Sequence, residues 1–296
     1  MMVGLSGSGK STYAEKLNAK IISSDAIRAE VFGDVNDQSH NAQVFEILHK
    51  RIIECLKNGE DCVYDATNLS AKRRKSFLNS VSHIECEKIC CVFATPFEVC
   101  VERDNKRNRK VGRRIIFRQM TQFQMPHKYE GWDQIRIIRD VFRNLTDLSS
   151  YFCFDTAHDS PYHKETIQEH MQMAAALYEY DSDINRDENV YFALLYHDLG
   201  KIPTKVFHDS KGNKTDIAHF YGHERVSAYL YLTSKERAES FDFEDETLYL
   251  IQYHMEPYFR NGESWEKFKQ NFSEDFVEKL VTVNKYDDLG RKKGEK

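Results

Sequence analysis

The spacing of apolar positions changes part-way along this chain of 296 residues. In the first half, short apolar runs alternate with amphipathic stretches. Residues 1–3 with Leu5, 20–24, 61–68 and 88–95 read as strands, the last through the run Ile89-Cys90-Cys91-Val92-Phe93-Ala94. Brief runs of this kind, bounded by polar tips, suit buried parallel strands. Residues 12–19 and 41–57 read as helices, and in the second Val44, Ile47, Leu48, Ile52 and Leu56 recur at helical spacing. Pro96-Phe97-Glu98 opens a further helix, because proline is tolerated in a first helical turn. Alternation of strand and helix up to about Ile138 predicts an α/β domain with a parallel sheet and flanking helices. The polar stretch 146–159, around Tyr151-Phe152-Cys153-Phe154, reads as a last strand and a linker. From Tyr162 onward helical periods dominate, at 165–180, 189–199, 222–232, 245–254 and 272–286, and predict an all-α domain. The expected domains are therefore 1–150 and 151–296.

Charge divides the chain in the same place. Residues 1–150 carry 24 Lys and Arg against 19 Asp and Glu, whereas residues 151–296 carry 18 against 28, so the formal charge of −5 conceals a basic and an acidic half. Eight of the twelve histidines lie from His158 onward, which points to different chemistries in the two halves. No run of eighteen apolar residues appears, and Met1-Met2 leads into a glycine loop, so a soluble, cytoplasmic protein is expected. The seven cysteines lack paired metal spacing and are expected as free, buried thiols. Oligomeric state is not legible.

The strongest local signal is Gly4-Leu5-Ser6-Gly7-Ser8-Gly9-Lys10-Ser11, followed by Thr12, which matches G-x-x-x-x-G-K-[ST]. Glycines let the backbone N–H groups close around phosphates, and the following helix aims its positive end at the same anion. Lys10 is expected to reach the β and γ phosphates of ATP, and Ser11 to ligate Mg²⁺. The strand before the loop is short, either trimmed or starting upstream. Asp25 and Arg28 stand one helical turn apart after the next strand, where a carboxylate can accept a hydroxyl proton and an arginine can hold a substrate phosphate. A helix cap at Ser24 or Asp25 is the alternative. Asp65, at another strand tip, has the placement of the acidic group that supports Mg²⁺ in phosphate-loop enzymes, with Thr67 and Asn68 beside it. Residues 103–118 hold Arg103, Lys106, Arg107, Arg109, Lys110, Arg113, Arg114 and Arg118 against Asp104 alone. Such a run can be a lid on the triphosphate, a solvated face or a nucleic-acid grip.

Four segments together resemble, in order, the 5′-OH polynucleotide kinase branch of phosphate-loop kinases. They are residues 4–12, Ser24-Asp25-Ala26-Ile27-Arg28, Tyr64-Asp65-Ala66-Thr67-Asn68 with Arg73-Arg74, and Glu102-Arg103-Asp104-Asn105-Lys106-Arg107. The resemblance covers about the first half of the chain. It implies that Asp25 is the general base for the 5′-hydroxyl, that Arg28 holds the adjoining phosphate of the acceptor strand, and that Arg103 and Arg107 are lid arginines on ATP.

In the second half His170, the doublet His197-Asp198, His223, His254 and Asp287 are spread over five predicted helices. A metal site needs several imidazoles and carboxylates to converge, and a histidine next to an aspartate can serve one or two ions. Thr166-Ile167-Gln168-Glu169-His170, Leu194-Leu195-Tyr196-His197-Asp198-Leu199-Gly200-Lys201, Gly222-His223-Glu224 and Lys285-Tyr286-Asp287-Asp288-Leu289-Gly290-Arg291 resemble the HD phosphohydrolase superfamily, an all-helical metal-dependent fold. That likeness implies one divalent transition metal on His170, His197, Asp198 and Asp287, a second on Asp198, His223 and His254, and a phosphate contact from Lys201. Asp287 is favoured over Asp288 by the Leu-Gly-Arg that follows. His163 and His219 are further candidates for a second metal or phosphate, while His158 and His208 are expected at the surface.

Together these readings describe a nucleic-acid end-healing enzyme that phosphorylates a 5′-hydroxyl and removes a 3′-phosphate or 2′,3′-cyclic phosphate. Its partners are expected to be nucleic-acid ends, RNA over DNA, with a ligase downstream and no membrane. The alternatives are a kinase and hydrolase acting on free nucleotides or another small molecule, and an ATP-gated binding module without catalysis.

Overall fold

Parallel pairing organises the N-terminal part of the chain. In the computed structural model, which describes residues 1–35, 39–139, 145–153, 155–234 and 246–292, the chain divides into two units. The first comprises Met1–Gln119 and Gln124–Phe142, the second Met120–Phe123 and Arg143–Lys296. In the first, β1 (Met2–Val3) pairs with β4 (Ile89–Phe93), Met2 opposite Cys91, and β4 pairs with β5 (Gln134–Ile138), Ile89 opposite Gln134. A second parallel pair joins β2 (Lys20–Ser23) to β3 (Cys62–Asp65), with Ser23 opposite Asp65. Two bonds tie the end of β3 to β1, Gly4 N–H to Thr67 O at 3.1 Å and Asn68 Nδ2 to Met2 O at 2.8 Å.

Parallel strands need crossover connections. Helices α1 (Lys10–Ala14), α2 (Ser24–Phe32), α3 (Asn41–Lys57), α4 (Ala71–Ser80), α5 (Phe97–Asn105) and α6 (Arg113–Met120) supply them. The apolar stripe of α3, with Val44, Leu48, Ile52 and Cys55, packs into one core with Ile22, Tyr64 and Phe77. Met2, Ala14, Val63, Cys91 and Phe93 form another. Because the strands are parallel, the glycine loop, Asp25 and Asp65 all follow carboxyl ends, the usual ligand side of an open α/β sheet. The chain beyond β3 is fixed by Arg74, whose Nε and Nη2 meet Glu130 at 2.8 and 2.7 Å while Nη1 donates to Asn68 O and Leu69 O. Both charges are buried, and this full use of the guanidinium donors is what makes such burial tolerable.

Two expected elements differ. The helix expected over 12–19 ends at Ala14, because Lys16 N–H bonds Tyr13 O and Leu17 N–H bonds Ala14 O, a three-residue spacing that tightens the chain out of α geometry. The strand expected near Tyr151 is a short 3₁₀ helix, Leu148–Phe152, and Phe154 lies outside the described residues.

The second unit is helical: α7 (Ile167–Glu179), α8 (Glu188–Tyr196), short α9 (Lys201–Thr204), α10 (His223–Leu232), α11 (Glu246–Tyr253), short α12 (Glu256–Phe259), α13 (Gly262–Lys269) and α14 (Glu274–Leu289). Residue 245, the expected start of α11, lies outside the described residues. Thr166 caps α7 in a capping box with Glu169, Asp187 caps α8 and Ser273 caps α14, each satisfying N–H groups that a helix leaves unpaired. Ile167, Met171, Ala174, Ala175 and Tyr178 give α7 a buried face at helical spacing. Between α9 and α10 an antiparallel hairpin, β6 (Lys205–His208) with β7 (Lys214–Phe220), adds a strand pair that the helical reading of this half did not place. The seven cysteines are all free, but burial holds for Cys55, Cys90, Cys91 and Cys100 alone, since Cys62 and Cys86 are half-buried and Cys153, at the end of the 3₁₀ turn, is exposed. Among the described residues no helix is long and apolar enough to cross a membrane.

Candidate active sites

The loop between β1 and α1 depends on glycine. Gly7 and Gly9 take φ of +83° and +93°, and a Cβ at Gly7 would lie 2.3 Å from Cys100 O. Lys10 is buried beneath the loop and donates to Leu5 O at 2.7 Å and Gly4 O at 3.0 Å. Burial pushes its ammonium down to about 8, against a smaller upward pull from Asp65. Ser11 Oγ donates to Asp65 Oδ2 at 3.0 Å, so the serine and the acidic strand tip meet. Thr12 is exposed in the first turn of α1. Sequence reasoning missed two supports of the loop. Gln119 donates through Nε2 to Ser6 Oγ and accepts from Ser6 N–H, at 3.0 and 2.8 Å, and Thr95 Oγ1 donates to Ser8 O at 3.0 Å.

Asp25 lies in the first turn of α2 with Arg28 one turn on. The N-cap is Ser23, without a side-chain cap bond, and Asp25 is engaged instead by arginines. Arg28 Nη1 meets Asp25 Oδ1 at 2.8 Å, and its Nη2 donates to Asn41 Oδ1 at 2.6 Å. Arg109 Nη1 meets Asp25 Oδ2 at 2.8 Å. Arg103 occupies the last turn of α5, partly buried, while Arg107 is exposed just beyond it. Arg107 and Asp25 both bear on the charge of Lys10, the first lowering and the second raising its proton affinity. Buried Asp104 accepts from Val111 N–H and Gly112 N–H at 3.0 and 2.8 Å, folding the basic loop back on α5.

In the second unit, burial gathers the residues that sequence spread over five helices. His170 comes from α7, His197 and Asp198 follow α8, His223 opens α10, His254 follows α11 and Asp287 lies in α14. Asp198 is the hub. Its Oδ2 lies 3.4 Å from His197 Nε2 and 3.6 Å from His170 Nε2, and its Oδ1 lies 3.3 Å from His223 Nε2 and 3.8 Å from His254 Nε2. Asp287 Oδ1 lies 2.9 Å from His170 Nε2 and 3.6 Å from His197 Nε2. Lys201 Nζ approaches Asp198 Oδ2 at 2.6 Å.

The tautomers follow from carbonyl acceptors. His197, His223 and His254 donate Nδ1–H to Leu194 O, Phe220 O and Ile251 O at 2.8, 2.9 and 2.7 Å. In the neutral rings that leaves each Nε2 with a lone pair, and all three are buried without a hydrogen-bond partner. Ring nitrogens turned inward and held from behind by backbone carbonyls are the arrangement of metal ligands. Two groups fit an ion, His170-His197-Asp198 and Asp198-His223-His254, sharing Asp198. Burial opposes charge on His197, yet Asp198 and Asp287 push it up to about 10, while burial and the neighbouring His197 and His223 push His254 down to about 3. Asp198 stays well below the usual carboxylate range despite burial, through Lys201 and His197. The cluster thus favours positive charge at its centre, which a divalent cation would supply.

Residues 1–126 match the family model described as an AAA domain, and residues 166–285 match that of the HD domain. The chain carries a P-loop kinase-like AAA domain followed by an HD domain. A search of curated proteins finds no match to the chain.

Further residues of the second unit bear on this centre. Tyr258 OH donates to Asp287 Oδ2 at 3.0 Å, and Arg291 Nη2 donates to Tyr258 OH at 2.7 Å and lies 3.3 Å from Asp287 Oδ2. Arg291 was visible only as the end of a motif. His208 is exposed as expected, but His158 is buried, a correction to its expected surface position. Its Nδ1 donates to Glu165 O at 2.9 Å and its ring stacks on His163 at 3.9 Å, so it is packed on both sides. His163 Nδ1 meets Glu165 Oε1 at 2.6 Å, and these three form another group within reach of an ion. The two rings are parallel to within 9°, so their in-plane lone pairs run side by side instead of converging on one ion. His219 stacks on Tyr221 in the hairpin, at 5.5 Å.

Proposed function

We propose that the chain is a bifunctional nucleic-acid end-healing enzyme, with a 5′-OH polynucleotide kinase in residues 1–150 and a 3′-phosphatase or 2′,3′-cyclic phosphate phosphohydrolase in residues 151–296. The observation that carries the reading is the pairing, in one chain, of a phosphate loop with Asp25 and Arg28 beyond the next strand and a buried centre built on Asp198. Certain breaks leave a 5′-hydroxyl opposite a 3′-terminal or cyclic phosphate, and a ligase downstream can join such ends only after both have been changed. RNA, whose 2′-hydroxyl permits the cyclic phosphate, is favoured over DNA.

In the AAA domain the loop N–H groups and Lys10 hold the β and γ phosphates of ATP, and Arg103 and Arg107 cover them. Ser11 and Asp65 would hold Mg²⁺, which neutralises phosphate charge. Arg28 holds a phosphate of the acceptor strand and Asp25 takes the proton of its 5′-hydroxyl. In the HD domain His170, His197, Asp198 and Asp287 would hold one divalent metal, and Asp198, His223 and His254 a second. Such ions acidify water and polarise a phosphate ester, which favours hydrolysis. Lys201 and Arg291 orient the phosphate, and the backbone carbonyls behind three of the imidazoles fix their direction.

The test uses end-labelled RNA and DNA oligonucleotides bearing 5′-hydroxyl or 3′-phosphate, with mononucleotides as competitors. Asp25→Ala is expected to abolish only phosphorylation and Asp198→Ala only dephosphorylation. Loss of both activities from either change rejects two separate sites, and turnover of mononucleotides alone rejects the polynucleotide substrate.

A further inference from the structure

We propose that the outer face of the β6–β7 hairpin is a docking surface for single-stranded nucleic acid, which leads the 3′ end of the strand to the HD centre. The inference deepens the phosphohydrolase reading of residues 151–296 and rests on it, because it names the form of the substrate. Register separates the two faces of the hairpin. Lys205 pairs with Phe220 and Val206 with His219, so the two pairs point to opposite sides. The side of Lys205 and Phe220 turns to the domain. Lys205 Nζ meets Asp159 Oδ2 at 2.6 Å, Ala218 is buried, and the Phe220 ring lies against Lys201 and the ring of His158. The side of Val206 and His219 is joined by the rings of His208 and Tyr221. Tyr221 lies within 3° of the plane of His219 at 5.5 Å and within 23° of that of His208 at 6.2 Å. Near-parallel rings so far apart are displaced sideways and leave part of each face uncovered. Tyr221 is 43% exposed, and His208 is exposed as well.

Charge at the turn fits a phosphate backbone. Lys211 and Lys214 are exposed, and neither is in an ion pair among the described residues. Asp209 is bound to the turn itself: Oδ1 accepts from Lys211 N–H and Asn213 N–H at 2.9 and 2.8 Å, and Oδ2 from Asn213 Nδ2 at 2.8 Å. Asp216 is the other exposed carboxylate of the hairpin, outnumbered by the two lysines. Open rings beside unpaired cations are what a single strand requires, since every base has a face to stack and every linkage a charge. A duplex keeps its base faces inside its own stack. The row of rings also ends at the metal ligands. Tyr221 stands two residues before His223, whose Nδ1 donates to Phe220 O at 2.9 Å. β7 spans about 23 Å at about 3.3 Å per residue, room for several nucleotides between the turn and the centre.

The experiment uses the full chain and a fluorescent oligouridylate bearing a 3′-phosphate, with binding read by anisotropy over a series of salt concentrations and hydrolysis compared with that of uridine 3′-phosphate. Tyr221→Ala is expected to weaken oligonucleotide binding about tenfold, the scale of one lost base–ring stack, and Tyr221→Phe to stay near wild type. Joint Lys211→Ala and Lys214→Ala should lower the slope of log affinity against log salt by about 1.4, the share of two phosphate contacts on a single strand. That double variant should also lose kcat/KM on the oligonucleotide while hydrolysing uridine 3′-phosphate as wild type does. Because Tyr221 adjoins His223, the lysine pair at the far end of the hairpin decides the matter if Tyr221→Ala loses metal. An unchanged salt slope in the double variant, or equal affinity of wild type for a duplex, overturns the proposal. Hydrolysis of uridine 3′-phosphate with no tighter binding of the oligonucleotide overturns it too. If wild type binds the oligonucleotide with the expected losses in the variants but hydrolyses neither substrate, the surface stands and it is the phosphohydrolase reading that fails.

Discussion

In the AAA domain the groups assigned to phosphate, Mg²⁺ and the acceptor hydroxyl already have protein partners, whereas the HD centre turns bare ring nitrogens inward. Lys10 Nζ rests on the carbonyls of Gly4 and Leu5, Ser11 on Asp65, and Asp25 between two arginines. In the HD domain Nε2 of His197, His223 and His254 are buried and unpartnered around Asp198. The first site can rest without a ligand, because its polar groups exchange one set of bonds for another on binding. The second carries the desolvation cost of buried polar atoms. Ligand dependence of stability should therefore sit almost wholly in the HD domain.

The hardest blow to this contrast is removal of Asp198, which faces all four histidines of the cluster. Asp198→Ala is expected to lose phosphoesterase activity to below detection and to retain little metal by elemental analysis. ATP-dependent phosphorylation should stay within about twofold of wild type, as sites that share no partners behave additively. Phosphoesterase activity at wild-type level would remove Asp198 from the chemistry. A smaller but wider effect is expected from chelation. A metal at a thousand times its dissociation constant stabilises the folded form by about 4 kcal/mol. Stripping it should reduce hydrogen-exchange protection in α8, α10 and α11 while leaving α3 unchanged. Equal loss in α3, or none anywhere, would break the comparison.

How much of each site the sequence disclosed follows from the same difference. The phosphate loop is contiguous, so its chemistry is written in eight neighbouring letters, and α3 was legible end to end from its periodicity. The HD ligands were legible as residue types at motif positions, although their distances depend on helix packing that no local pattern encodes. His158 was misplaced because a lone histidine in a polar stretch gives no sign that Glu165 O and the His163 ring will enclose it. Arg109 was one cation among eight, and only the fold of the loop around Asp104 singles it out. The hairpin β6–β7 interrupts a helical half with weakly apolar strands, Lys205–His208 and Lys214–Phe220, too polar to stand out by alternation.

The subtlest difference between the sites is a proton on Lys10. Burial holds its ammonium at about 8 in the folded protein, against an ordinary value of 10.5. The folded state is therefore poorer in protons than the unfolded state between those values. Stability contributed by this group is lowest below pH 8 and recovers as pH rises toward 10.5, the reverse of a lysine gaining a salt bridge. A triphosphate brings negative charge that restores the ammonium, so binding near pH 8 should take up roughly half a proton. Affinity for ATP should fall as pH rises from 8 to 9, after allowance for titration of the nucleotide itself. Calorimetry in two buffers of different ionisation heat measures the uptake directly, and Lys10→Met should remove both the uptake and the pH slope. Affinity that is flat across this range in wild type, with no proton taken up, would mean that Lys10 is charged before the phosphates arrive. In that case the carbonyls of Gly4 and Leu5 already compensate for its burial.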